Sequence, residues 1–235
     1  MERLRLDVWS DIACPWCYVG KRRLEAALAG WAHGGEVELV WRSFELDPSA
    51  PRGASEPAPY AAKLAAKYRM RVDEAQARID HLVSTAARDG LDLRFDAIRP
   101  GNTFDAHRVL HLAHARGRQD AVKERLMRGY FTDGRAIGDA DAVRALAVDA
   151  GLDDAEVREV LGSDRYAAEV RQDEALAREL GIRAVPCFVL DRRIGVSGAQ
   201  PADVLRGALE QAWATRTPSA PVVDEGAACG PDGCV

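Results

Sequence analysis

Two cysteines two residues apart, Cys14-Pro15-Trp16-Cys17, stand between an apolar run and a helical stretch. The run before them carries Leu4, Leu6, Val8 and Trp9. A dithiol at a strand-to-helix turn points to redox chemistry rather than to a zinc knuckle. Pro15 suits the first helical position, where its missing N–H costs nothing. A helix starting there aims free N–H groups and its positive end at Cys14. That setting favours a thiolate, the nucleophile of disulfide exchange. Cys14 is therefore the candidate nucleophile, and Cys17, one turn in, the candidate resolving thiol. Pro15 and Trp16, between the sulfurs, shape the redox poise and are candidate substrate contacts.

A second signal lies far downstream at Val185-Pro186. Gly181 can close a helix, and Cys187-Phe188-Val189-Leu190 reads as a strand. A proline heading a strand directly after a helix is a place where a cis X–Pro bond is used. Val185 and Pro186 are expected to form a loop that pairs, strand-like, with an extended substrate.

The rest of the chain fills in around these points. Residues 3–10 read as a strand, 15–30 as a helix, and 36–44 as a strand of alternating charged and apolar residues. Residues 47–58 are rich in Pro, Ser and Gly and read as a loop. From about 59 to 180 the pattern is helical, with no segment resembling a strand. Strands over 187–190 and 194–197, a turn between them, and a helix over 201–214 close the chain. Residues 215–235 read as a mobile tail.

Taken together, the motifs resemble the DsbA family of the thioredoxin superfamily, in its cytoplasmic FrnE-like branch of polyketide-biosynthesis dithiol–disulfide isomerases. The residues that carry the likeness are those from Asp11 through the dithiol to Gly20, Phe44-Glu45-Leu46-Asp47-Pro48, Asn102-Thr103-Phe104-Asp105-Ala106-His107-Arg108, Val185-Pro186, and Val196-Ser197-Gly198-Ala199-Gln200-Pro201. The resemblance implies an α/β, thioredoxin-like fold with a large all-helical insertion. Residues 1–46 and 164–214 would form the thioredoxin-like domain, and 59–163 the insertion. It also implies a disulfide oxidoreductase or isomerase whose cis-proline loop packs on the dithiol. Relatives that isomerise 2-hydroxychromene-2-carboxylate with glutathione usually carry serine where Cys14 stands. Keeping both cysteines favours thiol–disulfide exchange over a glutathione-assisted isomerase or transferase acting on a small aromatic or polyketide-like substrate.

Composition bounds the partners. The chain has 235 residues, 47% of them hydrophobic, enough for a sizeable core. A net charge of −5 and a pI near 5.6 favour neither nucleic acid nor an anionic membrane. The basic residues are nearly all arginine; the lysines are Lys21, Lys63, Lys67 and Lys123. No apolar stretch is long enough to span a bilayer. The first residues run into a strand without a signal-peptide pattern, so a cytoplasmic location is expected. There most thiols stay reduced, and a CxxC pair is expected to be catalytic. The expected partners are protein or small-molecule thiols and disulfides. No metal or organic cofactor is required, and glutathione is a candidate redox partner.

Other residues have both sharp and plain readings. Cys187 is expected to be a buried, inert thiol. Cys229 and Cys234 flank a Gly-Pro-Asp-Gly turn that brings them together. They read as an auxiliary dithiol, a surface disulfide or half of a metal site, although no neighbouring ligands complete four for zinc. Asp11 is either a turn residue or a charge acting on Cys14. Asn102 is a substrate-contact candidate as well as a helix cap. His107 is read as a packing histidine, and Ser197 as a residue facing a glutathione carboxylate if the relatives' binding mode applies.

Overall fold

β1 (Leu4–Ser10) is the strand on which the architecture is built. Its alternation is strict: Leu4, Leu6 and Val8 point to one face of the sheet, Asp7 and Trp9 to the other. In this computed structural model, residues 3–56 and 59–216 are described, together with the backbone of 229–230 and 233–234. β1 is followed by α1 (Pro15–Ala29) and β2 (Val37–Ser43). β1 and β2 are parallel, with Leu6 opposite Leu39 and Val8 opposite Trp41. A parallel pair needs a crossover, and α1 supplies it. Six helices follow: α2 (Tyr60–Tyr68), α3 (Val72–Arg88), α4 (Phe104–Ala115), α5 (Gln119–Phe131), α6 (Ala140–Asp149) and α7 (Asp154–Leu161). Then come α8 (Ala167–Glu179), β3 (Cys187–Leu190), β4 (Ile194–Ser197) and α9 (Ala202–Thr215). The sheet order is β2-β1-β3-β4, with β3 antiparallel to both its neighbours. This is a thioredoxin-like fold with a helical insertion between β2 and β3.

Each sheet face has its own cover. Leu4, Leu6, Val8, Phe188 and Leu190 pack under Leu24 and Ala27 of α1 and under Leu205 and Leu209 of α9. Full burial of such a side chain is worth about 1.5–3 kcal/mol. On the other face, Trp9, Cys187 and Val189 pack against Ala177 of α8. Polar groups there are matched: Trp9 Nε1 donates to the Asp173 carbonyl at 2.9 Å. The buried Asp173 carboxylate accepts from Ser43 N (2.9 Å) and Arg42 Nη1 (2.8 Å) and lies 3.2 Å from His111 Nε2. Arg42 also donates to the buried Asp7 at 2.7 Å.

The insertion has a separate core, including Ile79, Leu82, Leu112, Val122, Leu126, Phe131, Val143 and Val160. α5 docks on the sheet edge. The Gln119 side chain satisfies both the N–H and the C=O of Trp41 on edge strand β2, each at 2.9 Å. The helical reading of 59–180 fails between α3 and α4. Gly90, at φ +78°, ends α3, and the chain beyond it follows an irregular path. Leu91, Leu93, Phe95 and Ile98 of that path are nevertheless buried in the insertion core. Apolar content there reflects packing and not helix.

Among the described residues, no helix is long and apolar enough to cross a membrane. The segment read as a mobile tail, 215–235, falls largely outside the described residues. Its described backbone forms a hairpin of β5 (Cys229–Gly230) and β6 (Gly233–Cys234), with Cys229 opposite Cys234.

Burial alone would raise the Asp173 carboxyl, but His111, the Ser43 N–H and Arg42 hold it below its ordinary 3.8. A depressed carboxyl stabilises the fold above its unfolded-state value, and the contribution is lost as pH falls through the folded-state value. Asp173→Asn is expected to lower the unfolding free energy at neutral pH by about 3 kcal/mol. It should also flatten the loss of stability below about pH 4, measured by urea titration across pH.

Candidate active site

Cys14 is the N-cap residue of α1, with an extended backbone (φ −94°, ψ 111°), and Pro15 opens the first turn. The Cys17 N–H donates to Cys14 Sγ at 3.3 Å. The helix therefore points a backbone donor at the candidate nucleophile. Both cysteines are free thiols. Cys14 retains 5% exposure and Cys17 none. Burial pushes the Cys17 thiol well above its ordinary range, and the neighbouring Cys14 adds to this. The Lys123 charge and the Asp11 backbone N–H act in the opposite direction.

The loop before β3 meets the dithiol. The Val185–Pro186 bond is cis. Cys14 Sγ donates to the Val185 carbonyl at 3.7 Å. Gly20 on α1 lets the helix approach: a Cβ there would stand 2.9 Å from Pro186 Cγ and 3.3 Å from Phe188 Cζ. Among the described residues, the N–H groups of Arg183, Ala184 and Val185 donate to nothing in the fold. Trp16 and Leu46 are exposed, at 39% and 42%.

Several side chains resolve into definite roles. Asp11 is buried, and its Oδ2 accepts from Leu46 N at 2.8 Å while Oδ1 accepts from Ala13 N at 3.3 Å. Burial would raise its carboxyl, but His107, the Leu46 N–H and Thr103 hold it below the usual range. His107 Nε2 stands 3.4 Å from Asp11 Oδ1, an ion-pair distance without hydrogen-bond alignment. His107 is buried at the back of the site rather than open to substrate. Asn102 is also spent on structure. Its Nδ2 donates to Glu45 Oε1 (3.3 Å) and to the Pro48 carbonyl (3.2 Å), and its Oδ1 accepts from Phe104 N (3.0 Å). The expectation that Asn102 contacts substrate does not fit this geometry, because both amide hydrogens are used and the residue is buried. Cys187 is buried on the α8 side of the sheet, and burial pushes its thiol up. Ser197 is exposed on β4, at the sheet edge. The side chains of Cys229 and Cys234 lie outside the described residues.

The sequence reading did not single out two groups near the sulfurs. Tyr60 opens α2; burial, with the Cys14 sulfur close by, pushes its phenol up to about 12. It also lines a cavity of about 420 Å³ with Gln76, Ile79, Phe95 and Asp96. Lys123 of α5 is wholly buried and donates to the Ser10 carbonyl at 3.4 Å. Its signal was present: Gln119, Lys123 and Met127 recur every four residues on a face that also carries Val122 and Leu126.

The profile of the DSBA-like thioredoxin domain matches residues 5–210. The chain belongs to this family. Its fold is therefore that of a DsbA-like thiol–disulfide oxidoreductase family. The crystal structure of a probable DsbA oxidoreductase from Streptomyces coelicolor is 51% identical, with a TM-score of 0.87 and 99% of each chain covered. An uncharacterized Bacillus subtilis protein, YwbO, is 29% identical over 208 residues, 88% of this chain and 96% of that protein. The cytosolic disulfide reductase DsbM of Pseudomonas aeruginosa superposes with a TM-score of 0.62 over 91% of this chain and all of that one. At 18% identity the likeness to DsbM is one of fold.

Asn102→Ala is expected to cost about 2 kcal/mol, since it strands buried polar partners. The rate at which Cys14 reacts with a chromogenic aromatic disulfide should stay at the wild-type value. Denaturant titration and stopped-flow absorbance check the two halves of this prediction.

Proposed function

We propose that this chain is a cytoplasmic thiol–disulfide oxidoreductase or isomerase in which Cys14 attacks and Cys17 resolves. The observation that carries the reading is the position of Cys14 Sγ. It lies between the Cys17 N–H at the start of α1 and the Val185 carbonyl of the cis-proline loop. In the reducing direction, the Cys14 thiolate attacks one sulfur of a substrate disulfide and expels the other as a thiolate. Cys17, as thiolate, then attacks Cys14 Sγ. The Cys14–Cys17 disulfide forms, and the second substrate sulfur leaves and takes a proton from solvent. Two electrons pass from the dithiol to the substrate, and the reverse sequence oxidises a substrate dithiol. No metal or organic cofactor enters this cycle.

Protein or small-molecule disulfides are the proposed substrates, and neither nucleic acid nor membrane has a part. The unpaired N–H groups of 183–185 support strand-like pairing with an extended peptide, with Pro15, Trp16, Val185 and Pro186 around it. The insertion, taken as 59–163 beside a scaffold of 1–46 and 164–214, widens the groove at Tyr60. Glutathione is the proposed small redox partner; DsbM, a fold relative, is known with glutathione bound (TM-score 0.62, 20% identity). Cys229 and Cys234, opposite each other in the β5–β6 register, are proposed as an auxiliary dithiol that exchanges with Cys14–Cys17.

Insulin reduction and glutathione exchange test the reading. Cys14→Ser is expected to abolish both, and Cys17→Ser to accumulate a Cys14 mixed disulfide visible by mass spectrometry. Activity that survives Cys14→Ser would overturn the proposal. Glutathione-dependent isomerisation of an aromatic substrate that survives Cys17→Ser would favour an isomerase instead.

A further inference from the structure

Lys123 is an anomaly. Arginine dominates the basic residues, yet a lysine occupies this wholly buried position on α5. Its ammonium makes one long hydrogen bond, to the Ser10 carbonyl at 3.4 Å, and lies 5.6 Å from the centre of the Trp41 ring. Among the described residues, no carboxylate lies within ion-pair distance of it. The other buried lysine, Lys21 on α1, is surrounded by Glu25, Asp120 and Glu124. A buried cation without a counterion is costly unless it can shed its proton, which lysine does and arginine does not.

The groups around Lys123 are those of the dithiol. The charges of Cys14, Cys17 and Lys21 on α1 and of Asp11 in the turn after β1 act on it, and Trp41 of β2 lies beside it. Val122 and Leu126, which flank it on α5, share one apolar cluster with Cys14 and Cys17. His107 of α4 stands behind Asp11. The peptide between Ser10 and Asp11 spans the gap, its C=O accepting from Lys123 and its N–H directed at Cys17. Burial draws the Lys123 amine down to about 8, while the Cys17, Asp11 and Cys14 charges pull it back up. Cys17 itself is sealed from solvent and cannot ionise readily without help.

We propose that Lys123, carried by the helical insertion, is the proton acceptor and counter-charge for Cys17 in the resolving step. This rests on the thiol–disulfide reading above. In the Cys14 mixed disulfide, the Cys17 S–H proton passes to the neutral Lys123 amine. The resulting thiolate attacks Cys14 Sγ, the bond to the substrate sulfur breaks, and the substrate thiolate leaves. Lys123 is left as an ammonium, and it returns the proton when Cys17 is next released as a thiol. The thioredoxin-like half thus supplies both sulfurs, and the insertion supplies the group that balances their charge.

The test separates the two chemical steps, in a Cys229→Ser/Cys234→Ser background with a Cys14→Ser blank. The probe is dithiobis(nitrobenzoate), which releases one coloured thiolate when Cys14 attacks and a second when Cys17 resolves. Lys123→Met is expected to leave the first phase unchanged. The second phase should slow about tenfold at neutral pH, the worth of one pKa unit, and its pH midpoint should move up. Equal slowing of both phases would assign Lys123 a purely structural role and overturn the proposal, as would an unchanged second phase. A wild-type protein with no second phase would instead sink the thiol–disulfide reading itself.

A second measurement needs no substitution at Lys123. With four lysines in the chain, the Cε signals can be assigned and titrated by carbon NMR in the reduced and the disulfide forms. Lys123 is expected to titrate at higher pH in the reduced form, where Cys14 and Cys17 can take up negative charge that acts on it, than in the disulfide form, where neither sulfur can. The same midpoint in both forms would overturn the proposal.

Discussion

The end of β1 and the first turn of α1 are pinned from both sides, and the site depends on that clamp. From the insertion, α5 reaches the Ser10 carbonyl through Lys123 and the Trp41 backbone through Gln119. From the β2 side, the Leu46 N–H fixes the Asp11 carboxylate, and His107 of α4 faces it. Beneath, Gly20 admits the Pro186 ring. Cys14 and Cys17 belong to the same apolar cluster as Val109, Leu126 and Phe131 of the insertion. The dithiol therefore lies at the seam of two cores rather than on the surface of one.

This placement explains the asymmetry of the sulfurs. Cys14 sits at the helix start, where the Cys17 N–H reaches its sulfur and the cis-proline loop is near. Cys17 is inside, where solvent cannot stabilise its charge. The two thiols differ by burial and by neighbours, although they are one helical turn apart. Charged groups elsewhere obey the same rule of compensation: Asp173 has Arg42, His111 and the Ser43 N–H, and Lys21 has three carboxylates. Lys123 departs from the rule, and it does so within reach of the charges of the dithiol.

Much of the scaffold was legible in the chain. The apolar run in 3–10 and the alternation in 36–44 gave the two strands around the first helix, because a strand covered on both faces reads as continuously apolar and one that is half covered repeats every two residues. The Pro15 signal gave the helix start, and the sequence around Pro186 marked the loop. The stretch from Leu91 to Ile98 was misread, since its apolar residues are buried by tertiary packing on a path without a regular period. Asn102 was half legible. Its bond to Phe104 N is local, whereas those to Glu45 and Pro48 span more than fifty residues and leave no periodic trace.

The sequence by itself determined the dithiol, the helix that caps it, the proline loop and the helical character of the middle. These follow from short-range rules of turn chemistry and side-chain period. Tertiary structure alone decided what surrounds the sulfurs: that Asp11 turns toward Leu46 and His107, that Tyr60 nears Cys14, and that Lys123 is buried behind Cys17. The physical reason is that electrostatic environment depends on distance and desolvation. Both are set by elements about a hundred residues apart that meet only when the insertion docks on the sheet.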